Sequence, residues 1–209
     1  MNGEFHVISN GTLSFHEIAV IAKSIHTCVD FIHIREKHKS TKELYEGIIL
    51  LLTNGVPSEK LIINDRLDIA LLTGVSRIQL GYISADVQVV KEKFPHMHIG
   101  CSVHSYAEAV CAEQKGADSV MYGHIFKTKS KQGIPPRGGQ EIEKIVNSLS
   151  IPIIAVGGIT PENTEEVLQT GVGGIAVMSG IFTSCNALHT AEEYRKVLQK
   201  QVRKHGQIL

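Results

Sequence analysis

Eight short apolar runs recur along the chain: "FHVIS", "FIHIRE", "KLIIND", "RIQLG", "MHIGCSV", "SVMYGHIF", "IPIIAVGG" and "GGIAVMSG". Amphipathic stretches of helical length lie between them, among them "FHEIAVIAKSIHT", "TKELYEGIILLLTNG", "SYAEAVCAEQKG", "TPENTEEVLQTG" and "ALHTAEEYRKVLQKQ". Short β-rich runs that alternate with helical patterns mean βαβ units and a parallel sheet. Eight such repeats in 209 residues predict a single (β/α)8 TIM barrel over residues 1–209. A doubly wound open sheet is the alternative, which periodicity alone does not separate from a barrel.

Charge narrows the partners. Lys and Arg total 21, as do Asp and Glu, so the formal net charge is zero. A general nucleic-acid or anionic-membrane binder depends on a summed positive field, so neither partner is expected. The four cysteines, Cys28, Cys101, Cys111 and Cys185, have no metal-ligand or CxxC spacing and read as buried reduced thiols. The opening "MNGEFHVISNGT" does not read as a signal peptide, and no apolar run approaches transmembrane length, so a cytoplasmic protein is expected. Helix ends are also readable. Ser105 with Glu108 forms a capping-box pattern and Gly116 a stop; Thr160-Pro161 reads as an N-cap and first helical position, and Gly171 as that helix's end.

In a barrel of this kind the active site lies at the C-terminal ends of the strands. Strand alternation puts His33, Arg35 and Lys37 on one face, with Ile32 and Ile34 on the face that packs under helices. The three basic groups suit an anion or carboxylate clamp, in which Arg35 can bind with two prongs. Asn64 and Asp65 end the third run, where they can hold a ligand or help hold Mg²⁺; Asp65 can equally cap the following helix. The seventh and eighth runs end in Gly157-Gly158 and Ser179-Gly180. Loops after these two strands form the recurrent phosphate site of such barrels, where backbone N–H groups meet an oxyanion. Between Lys127 and Gly139 lies a lid-like segment with Thr128, Lys129, Ser130, Lys131 and Arg137. Ser102 and His104 stand near the end of the fifth run. His124 stands where the sixth run should end, just ahead of the basic loop.

Together these residues resemble the thiamine phosphate synthase superfamily over nearly the whole chain. Arg35 and Lys37, Asn64 and Asp65, Thr128, Ser130 and Lys131, Gly157 to Ile159, and Val177 with Ser179 match its motifs. The departures are His33 for a glutamine, Tyr82 and Ser84 in a Gly-Gln-x-Asp turn, and His124 for a proline. Ser84 removes a carboxylate that the family uses for Mg²⁺. This pattern is similar to the thiazole tautomerase (TenI) branch, whose members carry "GH-x-F" at this place. The resemblance implies an isomerase that converts a phosphorylated dihydrothiazole carboxylate to the aromatic thiazole carboxylate phosphate, with His124 moving the proton. It implies no cofactor, no metal and a homodimer. The alternatives are a thiamine phosphate synthase, or a non-catalytic regulator that binds a thiamine-pathway ligand.

Overall fold

The computed structural model describes residues 3–128, 133, 137 and 139–205. Eight strands alternate with helices. The strands are β1 (Glu4–Ile8), β2 (Phe31–Ile34), β3 (Leu61–Asn64), β4 (Arg77–Leu80), β5 (His98–Val103), β6 (Ser119–Gly123), β7 (Ile153–Val156) and β8 (Gly174–Val177). The helices are α1 (Phe15–Ile25), α2 (Thr41–Thr53), α3 (Leu67–Thr73), α4 (Val87–Lys93), α5 (Tyr106–Gln114), α6 (Gly139–Val146), α7 (Thr164–Gln169), α8 (Ser179–Phe182) and α9 (Ala187–His205). Each apolar run became a strand in the order expected. All pairings are parallel and β8 pairs with β1, from Glu4 opposite Gly174 to Val7 opposite Val177. The sheet is therefore a closed (β/α)8 barrel, and the open alternative falls.

The strands bury both faces, as parallel strands in such a fold do. Phe5, Val7, Ile32, Ile34, Ile63 and Ile78 join the layer shared with the helices. The alternate positions point inward. There Ile8, Met121, Ile154 and Ala176 form a small separate apolar cluster. The inward set also holds buried polar groups, His6, His33 and Gln79. That is an unusual interior for a barrel, and it sets up the site above it.

The helix starts follow short-range hydrogen bonding. Ser14 and Ser40 each close a full capping box, with Glu17 and Glu43 respectively. Ser105 caps α5 by accepting from the Glu108 N–H, but Glu108 reaches back to the His104 N–H and so ties the cap to the strand end. Thr160-Pro161 does not start α7. The Thr160 N–H donates to Asn163 Oδ1, which makes a turn, and the helix begins only at Thr164. The cysteines also differ from expectation. Cys28 and Cys101 are half-buried and Cys111 and Cys185 exposed, all free.

The closure has little slack. A Cβ on Gly174 would press into the Glu4 carbonyl oxygen and lie 2.8 Å from Glu4 Cβ, on the facing strand. Gly174→Ala should therefore cost about 1–3 kcal/mol, seen as a lower midpoint in urea unfolding. An unchanged midpoint would mean that the β1–β8 seam can part without loss.

Candidate active site

The C-terminal strand ends converge on one mouth. β2 stops at Ile34, so strand alternation no longer governs Arg35, Glu36 and Lys37. Arg35 is half-buried, and its N–H donates to Ser9 Oγ at 2.8 Å; Lys37 is exposed. Glu36 turns inward between them. It is 5 % exposed, its Oε1 accepts from the Gly11 N–H at 3.2 Å, and its Oε2 has no hydrogen-bond partner. Sequence reasoning missed Glu36 because it assumed that the strand ran on through Lys37.

His33 lies below the mouth rather than in it. It is fully buried, with Nε2 2.9 Å from His6 Nδ1 and Nδ1 3.3 Å from Asn64 Oδ1. It supports Asn64 from beneath, and Asn64, half-buried, stands nearer the opening. Burial, then the charge of His6, holds the His33 ring well below the ordinary histidine value, while the Asn64 hydrogen bond opposes them. On the next strands, Ser102 accepts from Gln79 Nε2 at 3.0 Å.

Asp65 does not cap the following helix. The first residue flanking α3 is Arg66, which makes no side-chain cap. Asp65 sits at a positive φ of 63° and its Oδ1 accepts from Ser84 Oγ. Ser84 Oγ also accepts from the Gly81 N–H at 2.7 Å. Asp65 thus pins the β4–α4 turn, with Tyr82 wholly exposed upon it.

The sixth strand delivers His124, which is 3 % exposed. His104 Nδ1 lies 3.0 Å from the Gly123 carbonyl oxygen, where its N–H donates, so β5 braces the strand end that carries His124. The Arg137 N–H donates to the His124 carbonyl at 3.1 Å. Beyond His124, Lys127 is exposed and Thr128 half-buried. Lys129, Ser130 and Lys131 lie outside the described residues.

Gly157 and Gly158 follow β7 at φ 104° and 69°. A Cβ on Gly157 would strike His124 Cβ, and one on Gly158 would lie 2.6 Å from the Lys127 carbonyl oxygen and 2.8 Å from Phe126 Cβ. The two glycines let the β6 and β7 ends pack at backbone distance. Ser179 is exposed at the start of α8, and Gly180 beside it leaves room for the Tyr194 hydroxyl, 3.0 Å from where a Cβ would sit.

The donor set can be tested against the Mg²⁺ that the resemblance brings. Mg²⁺ asks for several hard oxygens in octahedral geometry. Among the described residues no group of three or more His, Cys, Asp or Glu could hold a metal. Asp65 brings one carboxylate, already engaged by Ser84. This set does not fit a protein-built Mg²⁺ site.

A model described as thiamine monophosphate synthase (TMP-TENI) matches residues 5–181. The chain belongs to that family. Thiamine-phosphate synthase of Pyrococcus furiosus is 36% identical over 185 residues, 88% of this chain and 89% of that protein. The enzyme of that name from Methanococcus maripaludis is 32% identical over 204 residues, 96% of this chain and 97% of that one. A solved structure of thiamine phosphate pyrophosphorylase from Pyrococcus furiosus superposes with a TM-score of 0.81 at 32% identity, over 94% of this chain and 96% of that one. A 3-hexulose-6-phosphate synthase, at 15% identity and a TM-score of 0.71, shares the fold. These relatives overturn the expectation of a thiazole tautomerase: they are named synthases, which favours the alternative reading. Among the described residues no helix is long and apolar enough to cross a membrane.

Two outcomes are expected from the geometry. Gly158→Val should push the 124–127 segment away from β7, raise the Michaelis constant for a phosphate-bearing substrate and lower Tm. Unchanged values of both would contradict this packing. Neutral His33 also sets a pH dependence. The unfolded chain takes up a proton at this ring below about pH 6.5 and the native protein does not. The stability it contributes is therefore present above that pH and lost as pH falls, by up to about 1.4 kcal/mol per pH unit. Urea midpoints between about pH 7 and pH 5 should show the slope, and His33→Gln should flatten it.

Proposed function

We propose that this protein is a thiamine-phosphate synthase. It would join a hydroxymethylpyrimidine pyrophosphate to a hydroxyethylthiazole phosphate and release pyrophosphate. The observation that carries the reading is similarity to synthases along nearly the full length of both chains. In the reaction the bond between the pyrimidine methylene carbon and the pyrophosphate oxygen breaks, and its electrons leave with the oxygen. The thiazole nitrogen lone pair forms the new C–N bond. The group most in need of help is the leaving pyrophosphate, on which negative charge builds.

The chain's own groups suit that need. Arg35 and Lys37 bring cations from the end of β2, and Lys127 brings one from beyond β6. Asn64, Ser102 and Thr128 would add neutral hydrogen-bonding groups, and Ser130 and Lys131, which lie outside the described residues, would join that set. The Gly157–Gly158 turn and the Ser179–Gly180 start would take the thiazole phosphate through backbone N–H groups. His124 would give a proton to the departing oxygen and regain it from water, in the role of a positioned general acid.

The test is direct. The purified protein, given both substrates with Mg²⁺, should form thiamine phosphate and pyrophosphate in equal amounts. No product at stoichiometric enzyme would overturn the proposal. His124→Asn should fold, bind pyrophosphate about as well, and lose turnover by ~10²–10⁴, the range for a positioned acid–base group. Wild-type turnover in that variant would remove His124 from the chemistry.

A further inference from the structure

A chain of buried polar side chains climbs the inside of the barrel from its floor to its mouth. Glu4, at the first residue of β1, has a side chain 42% exposed. Its Oε2 lies 3.0 Å from His6 Nε2. His6 Nδ1 lies 2.9 Å from His33 Nε2, and His33 Nδ1 lies 3.3 Å from Asn64 Oδ1. His6 and His33 are 5% and 0% exposed. A cavity of about 40 Å³ adjoins the lower half, lined by Glu4, His6, Arg77, Gln79 and His98 among others, with room for a water or two.

We propose that Glu4, His6 and His33 are positioning residues that act through Asn64, and that an anion in the mouth is bound together with one proton on this chain. The proposal rests on reading Asn64 as a ligand-facing residue of the synthase site.

Donors and acceptors along the chain must match one for one. Each neutral imidazole has one N–H and one bare nitrogen. With Glu4 ionised and both rings neutral, His6 Nε2–H must donate to Glu4. His6 Nδ1 is then bare and accepts from His33 Nε2–H. That leaves His33 Nδ1 bare, so Asn64 must offer its Nδ2–H to it and turn Oδ1 toward the mouth. An anion there would meet an oxygen.

One added proton reverses the upper chain. His6 then donates from both nitrogens, to Glu4 and to His33 Nε2. His33 stays neutral, carries its proton on Nδ1 and donates to Asn64 Oδ1, the atom that lies 3.3 Å from that nitrogen. Asn64 now presents its NH₂ to the mouth, as an anion requires. The buried imidazolium is tolerable because the Glu4 carboxylate faces it; an unpaired buried charge would be costly. The other groups that face this region are Arg77, whose guanidinium sits 4.5 Å over the Phe31 ring, and His98, whose ring is kept neutral by burial and by Arg77. The Arg77 charge disfavours a second positive charge on its side, so the added proton belongs beside Glu4. Because Glu4 is half-exposed, the proton can enter from the barrel floor without passing the ligand. Coupling of this kind is reciprocal: the anion favours the proton as much as the proton favours the anion.

Histidine ring ¹⁵N spectra of the full-length protein at about pH 7, with inorganic pyrophosphate as the probe, test this. In the wild-type complex His6 should carry protons on both nitrogens and His33 on Nδ1. In Glu4→Gln, which keeps the shape but removes the anion, His6 should remain neutral and the pyrophosphate Kd should rise by a factor in the range of about 5–150. A neutral His6 in the wild-type complex, an unchanged Kd in Glu4→Gln, or a wild-type protein that binds no pyrophosphate would each overturn the proposal. Should Glu4→Gln fail to fold, the wild-type ring signals alone decide. A thiamine phosphate assay on the same wild-type sample keeps the two readings apart: responsive rings without product would sink the synthase and leave the relay standing.

Discussion

Closing the strand ladder is the constraint on which the rest depends. An open parallel sheet leaves two rows of backbone donors and acceptors to be satisfied elsewhere, and closure removes both edges. Here the seam is the β1–β8 pairing, in which Gly174 lets the backbone of Glu4 approach. Closure creates two interiors of different character. The outer one, between strands and helices, is apolar and takes most of the β-branched strand residues. The inner one is narrow, and its small apolar cluster shares it with imidazoles and amides.

Polar groups buried in that narrow space must satisfy one another. A half-satisfied network would cost more than an apolar filling. His6, His33 and Asn64 answer this with a continuous chain, and Gln79 and Ser102 with a second contact. The same requirement at the mouth links elements that are distant in sequence. His104 of the β5 end holds the carbonyl ahead of His124, and Asp65 of the β3 end holds Ser84 of the β4 turn. The mouth is thus braced by hydrogen bonds beneath its surface, while Lys37 and Lys127 stand exposed around it.

Family membership and local chemistry pull in different directions at three places. Ser84, Tyr82 and His124 depart from the family pattern, yet the full-length relatives are synthases. The departures alone suggested an isomerase. Within the fold, Ser84 has a structural partner in Asp65, so its presence does not by itself specify a reaction. In the proposed synthase the charge of a pyrophosphate would fall instead on the side-chain cations Arg35, Lys37 and Lys127.

The number of strands, their order and the outward faces of β2 were decided by the sequence alone. Period-two alternation and helix spacing are local properties, and Ile32 and Ile34 have no other way to be buried. Gly116 and Gly171, both at positive φ, mark helix ends for equally local reasons. What only the tertiary structure decided is how strand ends meet. Once β2 stops at Ile34, no periodicity says that Glu36 turns in while Lys37 turns out. Nothing local pairs His33 with His6, residues 27 apart in sequence. Such partners are chosen by barrel register, which sets Ile8 beside His33 and Asn64 beside Gln79. Register is a property of the whole closed ladder: one strand slipped by one residue would exchange its inward and outward sets.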